Sequence, residues 1–233
     1  MLLTGCENPT RPTDSQTGTQ ESVAAAQGPG DEFDLKATGE PFDDAEVFFE
    51  FNTTENDLGL QVFVDADGWK RLRVSDPAKR KVVDIMALSN LKELGITELR
   101  FESAEPSPAE VLALFPAGQY TLQGKTVDGE NLLSLATLSH NFLTPPTFSP
   151  ANGQTVNPAS TVVTWNAPGA VRVEVIIEDA NANRVFDVIV PGSTTSLNVP
   201  PQFLASGMTW VIEILAIGAN GNRTIAESTF VTS

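Results

Sequence analysis

Past residue 46 the chain falls into short runs in which β-branched, aliphatic and aromatic residues dominate: 47–51 (VFFEF), 58–64 (LGLQVFV) and 69–74 (WKRLRV), with Asn, Asp, Gly and Pro between them. That punctuation predicts strands joined by tight turns. In 69–74 the basic Lys70, Arg71 and Arg73 are mixed with the apolar positions, as on a strand with one wet face. Ser75-Asp76-Pro77 reads as a turn before a strand at 81–85, which makes Lys79, Arg80 and Lys81 a solvated loop. Ser107-Pro108-Ala109-Glu110 matches a capping box with Pro at the first helical position, and Pro116-Ala117-Gly118 stops that helix early. Two further strands, at 119–123 and 132–138, complete the expectation for residues 31–143: a β-sandwich with one short helix.

Asn141 to Pro146 forms a joint, since Pro145-Pro146 removes two backbone donors and favours an extended connection. The lone His140 stands just before it, suited to hinge packing. Beyond the joint, Val162-Val163-Thr164-Trp165-Asn166-Ala167-Pro168 sets a Trp three residues before a Pro. Leu204-Ala205-Ser206-Gly207-Met208-Thr209-Trp210 follows, and then Ile212, Ile214 and Ala216 alternate. These motifs resemble the second strand, the Leu-x-Pro-Gly-x-x-Tyr corner and the sixth strand of a fibronectin type III domain. Ser206 replaces the Pro, and Trp210 replaces the Tyr whose hydroxyl bonds back to the backbone at that corner. The resemblance covers residues 144–233. It implies a second sandwich, with strands near Val171, Arg184, Thr195, Trp210 and Thr224, and a spacer or binding role without chemistry. The fold class expected is therefore all-β: two β-sandwich domains in tandem.

Residues 7–30 are rich in Thr, Ser, Gln, Pro and Gly and lack an aromatic residue, a composition expected of a disordered tether. Before it stands Leu3-Thr4-Gly5-Cys6, which resembles the lipobox of bacterial lipoproteins; residues 1–6 then read as the remnant of a signal. Cys6 is the one cysteine in the sequence. The resemblance implies lipidation of Cys6, a membrane anchor that does not span the bilayer, and an extracytoplasmic place in the cell envelope. A complete signal needs an apolar run of roughly 7–15 residues, so the rest of it is expected upstream of Met1.

Net charge is −16, concentrated in residues 31–143, where 21 acidic residues face 10 basic ones. The sign excludes nucleic acid as the expected partner, because phosphate neutralisation needs clustered Lys and Arg. Asp65-Ala66-Asp67-Gly68 supplies two carboxylates and a turn; the leading reading is a hairpin in which Asp67-Gly68 gives positive φ, the other a calcium site at Asp65 and Asp67. Trp69, next along, would be a glycan platform beside that calcium, or core. Asp179 to Asn183 begins like a calcium loop but lacks its Gly and closing Glu, so a hairpin turn is expected. Glu102 and Glu105 are the acids to consider for glycoside cleavage, with a solvated loop as the plainer reading. No G-x-S-x-G elbow or P-loop occurs, and no residue is assigned a catalytic role. The expected function is a non-catalytic, surface-displayed module for a protein or glycan ligand.

Overall fold

The computed structural model describes residues 35–233, so Cys6 and the tether at 7–30 lie outside them. The first half contributes β1 (Asp44–Asn52), β2 (Asp57–Ser75), β3 (Lys81–Met86), β4 (Ile96–Glu102), β5 (Gly118–Thr126) and β6 (Asn131–Leu138), with helices α1 (Asn90–Leu94) and α2 (Pro108–Leu114). β1 and β2 form a hairpin in register from Asn52↔Asp57 to Asp44↔Asp65. The Asn52 side chain closes its turn by accepting from the amides of Thr54 and Glu55. Alternation works as expected in β5, where Tyr120, Leu122 and Thr126 are buried between exposed or half-buried neighbours.

The turn expected at Asp67-Gly68 is not made. β2 runs unbroken for 19 residues: its first part lies between β1 and β4, its last part between β3 and β5. The register with β4 shifts between Asp65 and Trp69, so the Asp-Gly pair sits in a bulge. Gly68 packs against the chain at Leu94 and Gly95, where an added Cβ would meet the Leu94 carbonyl oxygen at 3.1 Å. Its own carbonyl accepts the Val127 amide at 2.9 Å. Those contacts hold the segment extended, and the bulge lets one strand turn a corner between layers. One core results, containing Phe49, Leu60, Val62, Trp69, Leu72, Tyr120 and Leu122.

The capping box at α2 is present: the Ser107 hydroxyl accepts from the Glu110 amide and donates to the Glu110 carboxylate at 2.6 Å. α1 is a second, unanticipated helix, five residues long and without a buried side chain. Tyr120 is fully buried, and its hydroxyl donates to the Pro116 carbonyl four residues back. This is the corner bond of sandwich folds, made in the first half from Pro116-x-Gly118-x-Tyr120. In the second half Trp210 substitutes by relay: its indole N–H donates to the Thr232 hydroxyl, which donates to the Ala205 carbonyl.

That half adds β7 (Thr147–Ser149), β8 (Gln154–Val156), β9 (Val162–Asn166), β10 (Arg172–Glu178), β11 (Arg184–Pro191), β12 (Ser196–Asn198), β13 (Thr209–Ile217) and β14 (Arg223–Thr232). A three-stranded sheet, β12-β9-β7, covers a core of Trp165, Val175, Ile177, Trp210, Ile214 and Phe230. The opposing layer, β11-β10-β13-β14, does not stop at β14. β1 pairs with it in parallel through Glu50↔Arg223, Phe51↔Thr224 and Asn52↔Ile225, giving one sheet of 11 strands across both cores.

The seam is tied by Asn222, which is 2% exposed. Its amide oxygen accepts the Phe49 N–H at 3.0 Å, and its Nδ2 donates to the carbonyls of Ser139 (2.7 Å) and Asn141 (3.0 Å). The joint is thus pinned to the sheet, and His140 and Phe142 pack on Phe49. Truncating Asn222 leaves buried backbone groups without partners. Asn222→Ala is expected to lower stability by about 2–4 kcal/mol in chemical denaturation, against under about 1 kcal/mol for the exposed Asn220→Ala. Equal losses would show that the seam does not depend on this side chain.

Candidate functional site

Along each strand of the joined sheet, alternate side chains point away from the two cores. On β10 these are Glu174, Ile176 and Glu178; on β13, Glu213 and Leu215; on β14, Arg223, Ile225 and Glu227; and on β1, Glu50. Because β1 continues the sheet, this face runs on to Gln61 of β2 and to Arg100 and Glu102 of β4. Asp187 and Ile189 of β11 close the other end, and the concave surface between is a cleft of about 480 Å³. Its floor is apolar, made by Ile176 and Leu215, which cluster with Ile225, each no more than 5% exposed.

The cleft's three guanidiniums are already engaged. Arg223 contacts Glu50 at 3.2 Å and lies over the Phe48 ring at 4.8 Å. Arg184 contacts Asp187 at 3.0 Å and Glu178 at 3.7 Å, and Arg100 lies over Phe63 at 4.9 Å. The carboxylates are less well served. Glu174 is 7% exposed and its Oε2 receives no hydrogen bond; the nearest cation, Arg223, stands off at 3.7 Å. Burial raises its pKa, with Arg223 opposing. Glu213 sits directly across from Glu227, and burial together with repulsion from Glu178 and Glu227 pushes its carboxyl up to about 7.

Glu102 lies over Gly59 beside Glu105, and a Cβ at Gly59 would collide with both carboxylates. Burial, then repulsion from Glu105 and Glu50, pushes Glu102 to about 7, and burial raises Glu105 as well. The structure thus brings Glu102 and Glu105 together over one glycine.

The other singled-out residues fall elsewhere. Trp69 is fully buried, with its indole N–H donated to the Thr97 carbonyl, so it has no ring face to offer a glycan. This corrects the platform reading: the corner in β2 turns the ring into the first core. Asp65 and Asp67 lie on the outward side of the β2 bulge, Asp65 half-buried and opposite Asp44 and Glu98, Asp67 exposed. Among the described residues no group of three or more His, Cys, Asp or Glu converges as metal ligands. Asp179 caps a hairpin turn, accepting from the amides of Asn181 and Asn183. His140 contacts the Phe115 carbonyl at 2.8 Å and packs on Phe49. Arg80 in the basic turn pairs with the buried Asp76 at 2.6 Å, and Lys81 with Asp84 at 3.4 Å.

No protein-family model matches the chain, and no curated protein does. Among solved structures it is similar to CopC from Methylosinus trichosporium OB3b, at 22% identity over 40% of this chain and 94% of that one, with a TM-score of 0.32. It is similar to the chicken CNTN1 FN1–FN3 domains, at 12% identity over 82% and 64% of the two chains, TM-score 0.32. A third is a bacterial ice-binding adhesin, at 13% over 84% and 67%, TM-score 0.27. Those likenesses are of fold alone. The chain's own strands and cores define its class: an all-β protein of sandwich layers.

The raised Glu213 carboxyl makes stability depend on pH. Its ordinary value is 4.5 and its folded value about 7. Between these the folded state holds the extra proton, so the benefit is complete below about 4.5 and is lost as pH rises through about 7. Glu213→Gln is expected to raise the thermal unfolding midpoint at pH 8 and to change it little at pH 5. A midpoint lowered at both pH values would mean that the charge is not destabilising where it stands.

Proposed function

We propose that this protein is a non-catalytic binding module, held at an extracytoplasmic membrane surface through lipid on Cys6, and that the cleft on the joined sheet is its ligand surface. The observation that carries the reading is the cleft itself: partly desolvated carboxylates over an apolar floor, fixed on seven strands. Groups withdrawn from water without full partners cost stability unless a ligand completes them. The remaining chemistry supports binding over catalysis. His140 is occupied by a carbonyl and a phenyl ring.

Two measurements test this. Lipid labelling of the full gene product is expected for the wild type and lost in Cys6→Ala; equal labelling of both would remove the anchor. Peptide and glycan arrays probed with the wild-type chain and with a Glu102→Gln/Glu213→Gln variant are expected to show ligands retained by the first and lost, by tenfold or more, by the second. Ligands held equally by both would move the binding surface off the cleft.

A further inference from the structure

The register of β10 and β13 sets four outward side chains in a checkerboard: Glu174 opposite Leu215, and Ile176 opposite Glu213. Two carboxylates thus occupy one diagonal and two aliphatic side chains the other, with diagonal Cα atoms about 7–8 Å apart. Glu174 Oε2 is buried and accepts no hydrogen bond, with Arg223 standing off at 3.7 Å, and Glu213 makes no hydrogen bond or ion pair among the described residues. Resting on the reading of the cleft as the ligand surface, we propose that this checkerboard binds a primary alkylammonium group, carried by a free diamine or by a lysine side chain of a peptide.

The chemistry selects that group. An ammonium has three diverging donors, which suit oxygens on separate carboxylates. A guanidinium binds best through two oxygens of one carboxylate, and the cleft already holds one beside Glu174, that of Arg223 at 3.7 Å. The methylene stem would run against Leu215 and Ile189, the latter 49% exposed at the cleft wall. Charge is complementary: Glu50, Glu102, Glu174, Asp187 and Glu213 line the cleft against Arg100, Arg184 and Arg223, and each of these cations already lies on an acid or a ring. A divalent metal fits less well, because no three carboxylates among the described residues converge.

Binding must compete with protons. The charged groups acting on Glu213 are Glu178 on β10, Glu227 on β14, Arg184 on β11 and Glu50 on β1, with Glu174 diagonal to it on β10; Arg223 and Asp187 of the same cleft act on Glu174. Burial first, and these charges after it, leave Glu213 half-protonated at about pH 7. A bound ammonium favours the ionised carboxylate, so affinity is present above that pH and falls as pH drops through it, by about tenfold between pH 8 and pH 6.

The test is titration calorimetry on the full chain with 1,5-diaminopentane and, separately, with an N-acetylated trilysine amide, at pH 8 and pH 6 and constant ionic strength. The expected result is saturable binding of at least one probe at pH 8, about tenfold weaker at pH 6. It should weaken tenfold or more in Glu213→Gln and in Glu174→Gln, and stay unchanged in Glu93→Gln on the distant α1. Binding of the diamine assigns the site to free amines; binding of the peptide alone assigns it to lysine side chains of a partner. Thermal unfolding of each variant confirms folding, and two separate substitutions keep the test open should one fail to fold. No saturable binding of either probe, or binding unaltered in both Gln variants, overturns the proposal. Array ligands lost with the cleft variant while both amines fail would remove the ammonium assignment and keep the cleft. Array ligands retained by that variant would remove both.

Discussion

The structure depends on three residue pairs. Where β1 runs beside β14, Glu50, Phe51 and Asn52 meet Arg223, Thr224 and Ile225, and this short parallel ladder makes one sheet of two. Three pairs are little to hold two cores in register, and the Arg223–Glu50 ion pair, with both side chains partly in water, adds a small amount. Asn222 supplies more, because it bonds three backbone groups at the junction, of which the Phe49 amide and the Ser139 carbonyl would otherwise lose their partner. Without the ladder both β1 and β14 would expose an open edge, a template for pairing with other chains.

Joining the edges also decides what the outer face is. The inward positions of β10, β13, β14, β1 and β2 must be apolar to close two cores, so the polar residues of all five strands collect on one continuous surface. Like charges then meet across strands, as Glu213 meets Glu227. Opposed carboxylates in a sheet are destabilising; burial first, and that repulsion after it, raise Glu213 to about 7. Local strand preference does not call for such an arrangement. A ligand that neutralises the face gives it a physical reason.

How much of this could be read from the residues follows from the range of each interaction. The capping box at Ser107, the Asp179 to Asn183 hairpin and the core places of Trp165 and Trp210 are local, and each stands where the pattern put it. Asp67-Gly68 was misread because a hairpin turn and a bulge ask for the same residues; the choice is made by Leu94, Gly95 and Val127, which only folding brings near. Trp69 went inward with that choice. The corner at Tyr120 has a different spelling, Pro116-x-Gly118-x-Tyr120, from the Leu-x-Pro-Gly-x-x-Tyr pattern that Leu204 to Trp210 resembles. The cleft was not legible at all, since Glu50 and Arg223 are 173 positions apart and nothing in either neighbourhood announces the other.

A sandwich more often binds through the loops at its ends, which vary without disturbing the core. Here the polar loops are largely spent on themselves: Asn52 and Asp179 fold back on their own turns, and Asp76 is taken by Arg80. The unspent polar atoms are on strands. A site on strands is held more rigidly than one on loops, so a ligand meeting Glu174 and Glu213 would not have to order them first. That saves part of the entropy that binding otherwise costs. The same rigidity limits what the cleft can accept, because the spacing of its carboxylates is the spacing of β10 and β13 and cannot adjust without breaking the sheet.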